Sequence, residues 1–288
     1  EHEEETTNYS FDSSNISFAL DLSRPLSENL DLNLGYSNVE RAPSVVELFM
    51  NGPHLATGRF ETGDVNLSAE TSSNFDIGLS YEADNTYASL TIFRNDTDNY
   101  IYLMDMHDED DHDDHMEAMD EDDHDEDHDD HGHAEGLIQA QYMQQNAELN
   151  GYELQVGRVF NLDSGDLEVS FSRDVVNGEL ADGMNIPRLS PARNIYSVEY
   201  TMNDYLFDLS FKDVEDQKDV AEEETPTMGY QMLDTKVVKT FDLNGNSLRV
   251  SVFANNLLDE IARNHSSFVK NQVPLPGRNY GIRFNLTF

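Results

Sequence analysis

The feature of this sequence most able to do chemistry is an acidic segment rich in histidine. Residues 105–135 contain seven histidines and eighteen aspartates or glutamates, with no lysine or arginine among them. The chain has no cysteine, and zinc sites without thiolates are built from imidazole nitrogen and carboxylate oxygen. The composition therefore predicts metal binding. The predicted ligands in this segment are His107, His112, His115, His124, His128, His131 and His133.

The composition of this segment is also compatible with roles that need no transition metal. A run of like charges is often only a solvated loop, and carboxylates alone would hold Ca²⁺ or Mg²⁺. Neither role requires so many imidazoles. Ni²⁺ and Cu²⁺ suit imidazole as well as zinc does, so the residues leave the metal undecided. The carboxylates raise the local cation concentration, and we expect capture at many weak sites.

The overall composition excludes several classes of function. The chain carries 58 acidic and 17 basic residues, so it would repel phosphate backbones and we expect no nucleic-acid partner. There is no Gly-x-Ser-x-Gly elbow and no compact Ser/His/Asp group, so we expect no enzyme activity and no catalytic cofactor. The first residues lack the basic and apolar regions of a signal peptide, and we expect that the beginning of the protein is missing.

Alternation of apolar and polar residues predicts an all-β fold. In the last segment Tyr280, Ile282, Phe284, Leu286 and Phe288 fall on one face, with glycine or polar residues between them. A transmembrane antiparallel β-barrel needs this period of two, with apolar side chains toward lipid and polar ones toward the lumen. We predict eleven strands, near residues 11–23, 28–40, 71–83, 86–104, 140–160, 165–176, 192–202, 205–216, 228–241, 246–255 and 280–288.

The predicted connections alternate between short and long. Short turns rich in Pro, Asn, Asp and Gly are predicted at residues 24–27, 83–85, 161–165, 203–204 and 242–246. Long connections are predicted at residues 41–70, 105–139, 177–191, 217–227 and 256–277. Periplasmic turns and extracellular loops give bacterial outer-membrane barrels this asymmetry. A soluble β-sandwich, the alternative, has no reason to sort its loops by length.

Separated motifs in the chain resemble those of TonB-dependent outer-membrane receptors. Residues 40–49 contain Glu-Arg-Ala-Pro-Ser and Glu-Leu-Phe, and residues 64–70 read Asp-Val-Asn-Leu-Ser-Ala-Glu. Residues 253–259 read Phe-Ala-Asn-Asn-Leu-Leu-Asp, and Pro-Gly-Arg-Asn-Tyr at 276–280 precedes the terminal Phe288. The resemblance implies a barrel of about 22 strands filled by an N-terminal plug. Eleven strands would be its C-terminal half, with the plug absent.

Within this family the chain is most similar to zinc-uptake receptors of the ZnuD type. The similarity rests on Asn-Gly-Pro-His-Leu-Ala-Thr at 51–57, Asn-Tyr-Ile-Tyr at 99–102, His-Ser-Ser-Phe at 265–268 and the histidine-rich segment. It implies that His54 is a metal ligand near the barrel mouth, and we predict the same role for His265. Haem receptors share the first stretch, so a receptor for haem or another iron complex, with His54 on the iron, is the alternative.

The sequence therefore predicts a Gram-negative outer-membrane receptor that imports a metal ion, with zinc favoured by the resemblance. Residues 1–288 would form part of the receptor barrel, with the extracellular loop 105–139 within it. Outer-membrane lipid would surround the strands, the TonB complex would act through the absent plug, and the complete barrel would be a monomer. The receptor motifs disfavour a passive porin.

Overall fold

The computed structural model describes residues 13–106 and 136–288. Within these residues the chain forms thirteen strands and one short helix. In chain order they are β1 (Phe18–Ser27), β2 (Leu30–Arg41), α1 (Val45–Phe49), β3 (Asn51–His54), β4 (Arg59–Thr62), β5 (Glu70–Ala83), β6 (Thr86–Asp105), β7 (Ile138–Leu162), β8 (Gly165–Leu180), β9 (Arg193–Met202), β10 (Tyr205–Val214), β11 (Tyr230–Leu243), β12 (Asn246–Asn255) and β13 (Asn279–Thr287).

Eleven of these strands form one continuous antiparallel sheet whose order follows the chain, from β1 and β2 through β5 to β13. Each strand pairs with the next through a hairpin, so the whole sheet is built from neighbouring segments. The prediction of an all-β antiparallel fold with about eleven strands is confirmed. The sequence did not predict β3 and β4, which form a small hairpin inside the first long loop and join the sheet through a parallel pairing of β4 with β7.

The two ends of the sheet differ in the length of their connections, as predicted. At one end, here called the turn end, two-residue turns lie at 28–29, 84–85, 163–164, 203–204 and 244–245. At the opposite end, the loop end, the connections are long. In the last turn Asn244 has φ of 56° and Gly245 has φ of 98°, which matches the left-handed pair that a tight hairpin requires.

The predicted position of the first turn was wrong. Residues 24–27 lie within β1, and the chain reverses at 28–29. Pro25 lacks an N–H and reads as a turn residue, yet it is tolerated here because β1 is an outer strand of the sheet. The pairing of β1 with β2 is irregular between Pro25 and Ser27.

The predicted bounds of the loop 105–139 were also too wide. Asp105 pairs with Ala140, so the hairpin of β6 and β7 extends farther than the alternation indicated. Ile138 and Gln139 likewise belong to β7. The remainder of that prediction, residues 107–135, lies outside the described residues.

The two faces of the sheet differ in polarity. Leu22, Leu34, Ile77 and Ile92 face one another across β1, β2, β5 and β6 and form a row on the apolar face. Large apolar side chains on this face are exposed, with Ile92 at 55% and Ile77 at 40%. A surface of this kind suits lipid rather than water.

The opposite face carries hydrogen-bonded polar side chains. Asn74 Nδ2 donates to Ser37 Oγ at 3.1 Å, and Asn95 Nδ2 donates to Asn74 Oδ1 at 2.5 Å. The hydroxyl groups of Ser72 and Thr97 form a hydrogen bond of 2.9 Å on the same face. Strand alternation therefore separates an apolar lipid face from a polar lumen face, as the sequence predicted.

Buried apolar side chains concentrate at the loop end. One cluster consists of Leu48, Leu67 and Ile101. A second consists of Tyr102, Met104, Ala147, Leu180 and Ile186. Among the described residues, none of the helical structure is long and apolar enough to cross a bilayer. The packed core of this chain thus holds the loops in place, whereas the strands are held by their backbone pairing.

A charge placed on the lipid face should destabilise the sheet far more than the same charge on the lumen face. Ile92→Arg should lower the free energy of unfolding by about 2–4 kcal/mol, the usual cost of arginine at the bilayer midplane. Thr91→Arg, one residue away on the lumen face, is the matched control and should cost less than about 1 kcal/mol. Denaturant titration in phospholipid vesicles measures both, and equal costs would contradict the assignment of faces.

Candidate functional site

The Arg-Ala-Pro-Ser motif builds the base of the first long loop. Ser44 caps α1: its hydroxyl accepts from the Glu47 N–H, while the Glu47 carboxylate accepts from the Ser44 N–H. Arg41 then ties this cap to the sheet, since its guanidinium contacts Glu47 and Glu70 at 2.9 Å each. The motif that carried the family resemblance is therefore an ion-paired helix cap that fixes where the loop begins.

The Asp-Val-Asn-Leu stretch closes the same loop. Leu67 packs with Leu48 and Ile101 in a buried cluster. Asp64 accepts a hydrogen bond at 2.8 Å from the backbone N–H of Asn66 and so forms a local turn. The Asp64 side chain thereby binds within its own loop, where it also accepts from Asn66 Nδ2 at 2.9 Å.

The hairpin of β3 and β4 carries His54 and Glu61. His54 Nδ1 lies 2.8 Å from Glu61 Oε1, and the Thr57 hydroxyl donates to the same oxygen at 2.9 Å. The Tyr142 hydroxyl, on β7, donates to Glu61 Oε2 at 3.4 Å. The side chain of Glu61 is 2% exposed, whereas that of His54 is 48% exposed. A buried carboxylate thus holds a histidine that reaches solvent.

This pairing leaves one imidazole nitrogen available. With Nδ1–H donated to Glu61, His54 Nε2 is the basic nitrogen, and it has no hydrogen-bond partner among the described residues. A carboxylate behind a histidine is the usual support of a histidine that binds metal, because it fixes the tautomer and the ring orientation. No group of three or more His, Asp or Glu side chains in the described ranges is arranged to hold a metal. Within the described residues, His54 and Glu61 thus form a pair rather than a complete set of metal ligands.

Arg59, on β4 beside this pair, anchors the hairpin. Its guanidinium binds Asp105 through two parallel hydrogen bonds of 2.6 and 2.5 Å, and it donates to the carbonyls of Thr57 and Phe268. Arg59 and Arg188 also lie against the Phe268 ring, at 4.8 and 4.2 Å from its centroid. One arginine thus joins the first long loop to the end of β6 and to the last long loop.

A second buried group, here called the Glu224 cluster, consists of Arg188, Glu224, Thr227, His265 and Lys270. Glu224 Oε1 lies 2.8 Å from Lys270 Nζ and 3.1 Å from His265 Nε2. Both Glu224 oxygens accept from the Arg188 backbone N–H. His265 Nδ1 faces the Thr227 hydroxyl at 2.9 Å and the Lys270 ammonium at 3.4 Å. Three long loops meet at this cluster.

The electrostatics of the Glu224 cluster favour the ionised carboxylate. Burial alone would raise the pKa of Glu224, but the adjacent His265 and Lys270 side chains and the hydrogen bond from the Arg188 backbone N–H outweigh it and lower the pKa from 4.5 to about 2. Burial also lowers the pKa of the Arg188 guanidinium, against the attraction of Asp105 and Glu224. Glu224 is therefore the anion around which the neighbouring loops are arranged.

The structure separates the predicted ligands. His54 is half-exposed beside Glu61, whereas His265 is 1% exposed and lies within the Glu224 cluster, where a lysine ammonium already neutralises the carboxylate. His265 Nε2 contacts Glu224 without hydrogen-bond alignment. The prediction that these two histidines bind metal remains a prediction. The seven histidines of residues 107–133 lie outside the described residues.

Sequence reasoning missed most of the residues around the two histidines. Arg59, Arg188, Glu224 and Lys270 carry no local motif. One signal was present: Arg59, Arg188 and Lys270 are isolated cations in predicted loops of a very acidic chain. Such cations have many carboxylates to attract, so their burial against specific partners is a reasonable expectation.

The last long loop is closed by Asn256. This side chain is 1% exposed, donates to the carbonyls of Glu260 and Pro276, and accepts from the Glu260 N–H. Asp259 accepts from the Arg278 N–H at 3.0 Å. These hydrogen bonds therefore join the Asn-Leu-Leu-Asp motif at the start of the last long loop to the Pro-Gly-Arg motif at its end.

Comparison with solved structures places this fold in a known class. The chain superposes on the copper transporter OprC with a TM-score of 0.72 and 18% identity, covering 94% of this chain and 39% of that one. It superposes on the siderophore receptor PirA from Pseudomonas aeruginosa with a TM-score of 0.58 and 18% identity, covering 94% and 41%. At these identities the likeness concerns the fold alone.

The family follows from the sequence match. Residues 2–257 match the family described as TonB dependent receptor-like, beta-barrel, and the chain belongs to this family. The family resides in the outer membrane. The ferrienterobactin receptor of Escherichia coli (strain K12) is 35% identical over 96 residues, and the ferric enterobactin receptor of Pseudomonas aeruginosa is 35% identical over 98. Each match covers 30% of this chain and 13% of the relative.

The Glu224 cluster should lose stability as the pH falls below about 4.5. Because the folded pKa of about 2 lies below the ordinary 4.5, Glu224 stabilises the loops at pH above 4.5 and loses that effect as pH falls toward 2. Protection factors for hydrogen exchange across residues 215–229, which correct for the intrinsic slowing of exchange in acid, should therefore stay high down to about pH 4.5 and then fall.

Glu224→Gln should give fast exchange in this segment at neutral pH, because Lys270 loses its buried counterion. Glu222→Gln, an exposed neighbour, is the matched control and should exchange like the unaltered protein. If Glu224→Gln and Glu222→Gln exchange alike, the cluster does not hold the loops.

Proposed function

We propose that this chain belongs to an outer-membrane receptor that imports a metal ion, and that the ion is zinc. The observation that carries the proposal is the pairing of His54 Nδ1 with the buried Glu61 carboxylate at 2.8 Å, which leaves the second imidazole nitrogen free at a solvent-reaching position. Neutral imidazole held in this way is a good ligand for zinc. His54 would be one ligand of the transport site, and the remaining ligands lie elsewhere in the receptor.

The histidine-rich segment is proposed to capture ions for this site. Its two flanks lie beside the hairpin that carries His54: the Met106 N–H donates to the Gln139 carbonyl at 2.8 Å, and the Ile138 N–H donates to the Gly58 carbonyl at 3.2 Å. On β4, Glu61 pairs with Ala140 of β7. An ion released from the segment would therefore have a short path to His54.

The segment and His54 have different proposed roles. The segment holds many ligands of similar kind, so it would bind several ions weakly and release them. His54 is oriented by Glu61 before an ion arrives, so it would bind one ion more tightly. The TonB complex, acting through a plug, and the lipid around the strands complete the proposed system, and the whole receptor is proposed to be a monomer.

An iron complex is the second candidate substrate. Two sequence relatives are named as receptors for ferric enterobactin, although each match covers only part of either chain. In this alternative His54 would contact the iron or its carrier.

Removing the His54 imidazole should weaken transport at every zinc concentration. His54→Ala deletes the proposed ligand, and Glu61→Gln should lower zinc affinity by about 10–100-fold, the usual effect of altering the support of a metal-binding histidine. Glu153→Gln, an exposed carboxylate on β7, is the matched control. Uptake of radioactive zinc by cells carrying each variant of the receptor measures the effect. Loss of iron-complex use with zinc uptake spared would favour the second candidate.

Removing the segment should affect transport only when zinc is scarce. A deletion of residues 107–135 keeps Asp105, and with it the contact to Arg59. It should lower the number of zinc ions bound and slow uptake from dilute zinc, while uptake from abundant zinc stays normal. A variant with the seven histidines changed to serine keeps all the carboxylates and should behave like the deletion. If that variant matches the unaltered receptor in both assays, the segment is only a solvated acidic loop.

A further inference from the structure

The turn end of the lipid face carries a belt of aromatic rings. All of these residues lie within three positions of a tight turn, and their side chains are on the apolar face. They are Tyr81, Phe160, Tyr200, Tyr205, Phe207 and Phe241. Tyr200 stacks on Phe207 and Tyr205 stacks on Phe207, with centroids 6.2 and 6.0 Å apart. Aromatic belts of this kind mark the boundary between acyl chains and headgroups.

Lys239 lies in this belt. It shares the apolar face with Val237 and Phe241 and pairs across the strands with Tyr205. Its Nζ donates to the Tyr205 hydroxyl at 2.6 Å and lies 4.3 Å from the Tyr205 ring centroid and 5.1 Å from that of Phe241. An ammonium group has three N–H donors, so two remain for a further ligand.

Arg158 repeats the arrangement on another strand. Arg158 and Phe160 are related in sequence as Lys239 and Phe241 are, and the Arg158 guanidinium lies 5.3 Å from the Phe160 ring centroid. Each pair lies at the same distance before its turn, at 163–164 for β7 and at 244–245 for β11. Two strands thus place a cation and a phenylalanine at the same height on the lipid face.

Neither cation has an acidic partner in the described part of the chain. Lys236, on the same strand as Lys239 but on the lumen face, lies 3.9 Å from Asp208. Among the described residues no carboxylate lies beside Lys239 or Arg158, so their charges are open to a ligand from outside this part of the chain. The only medium that meets this face is lipid, and its charged groups at this height are headgroup phosphates.

We propose that Lys239 and Arg158, each set against its aromatic neighbours, bind the phosphates of phospholipids in the periplasmic leaflet. The acyl chains would lie along the apolar rows of the sheet. The phosphate would accept hydrogen bonds from the two free N–H groups of Lys239, or from two parallel N–H groups of the Arg158 guanidinium. This contact would fix the depth of the barrel in the membrane. It is independent of the transported substrate.

Native mass spectrometry of the receptor in detergent, titrated with phosphatidylglycerol, tests the proposal. Lys239→Gln and Arg158→Gln should each weaken phospholipid retention about fivefold, equivalent to about 1 kcal/mol per cation. Lys239→Arg keeps the charge and should retain lipid. Lys236→Gln, on the opposite face of the same strand, is the matched control and should leave retention unchanged. Circular dichroism checks the strand content of every variant. Because Lys239→Arg changes the side chain but keeps its charge, retained lipid in this variant shows that the charge, rather than misfolding, accounts for the loss in Lys239→Gln.

Two further arms identify the ligand. Diacylglycerol, which lacks the phosphate, should not be retained by the unaltered receptor. Millimolar inorganic phosphate should not displace phosphatidylglycerol, because it has no acyl chains to contact the apolar rows. Retention that is unchanged in Lys239→Gln and Arg158→Gln, or that falls equally in Lys236→Gln, overturns the proposal. Displacement by free phosphate, or equal retention of diacylglycerol, overturns the assignment to a phospholipid headgroup.

Discussion

The structure depends on one constraint: a strand that crosses a membrane must pair its backbone N–H and C=O groups with neighbouring strands, because lipid offers no partners. Eleven of the described strands pair in chain order, from Phe18 in β1 to Thr287 in β13, so each strand between these two has a partner on both sides. Once the register is fixed, alternation sends every second side chain to lipid and the rest to the lumen. The apolar row through Ile77 and Ile92 and the polar network around Asn74 are both consequences of that register.

At the loop end, water is available and the organisation changes from backbone pairing to buried ions. Arg59 and Glu224 each bind several partners, and together they hold the first, third, fourth and last long connections against the end of β6. Buried ion pairs are weak evidence for stability, but they define geometry, since each partner must be placed to satisfy its neighbours. This geometry sets the position of the hairpin that carries His54.

The sequence predicted the strands and most turns because their signals are local: a period of two along each strand, and Asn, Asp or Gly between strands. Pro25 misled the prediction because its effect depends on whether its strand is at the edge of the sheet, which no local pattern reveals. The residues of the candidate site were harder to predict from the sequence. His54 was predicted from its resemblance to receptor motifs, but Arg59 and Phe268 are 209 positions apart and Glu224 and Lys270 are 46 apart. Contacts over such separations depend on the pairing of the whole sheet, which no local sequence pattern reveals.

The pairing of β6 and β7 up to the very start of the loop between them has a consequence for how the sequences of such loops vary. Pairing continues to Asp105 and Ala140, and Arg59 locks Asp105 in place, so the distance between the two flanks is fixed by the sheet. The entropic cost of closing a loop between fixed ends grows slowly with its length, by about 0.6 kcal/mol for each doubling. Insertions and deletions between these flanks are therefore almost neutral for folding. The composition of the intervening segment can therefore change while the sheet that carries it stays the same.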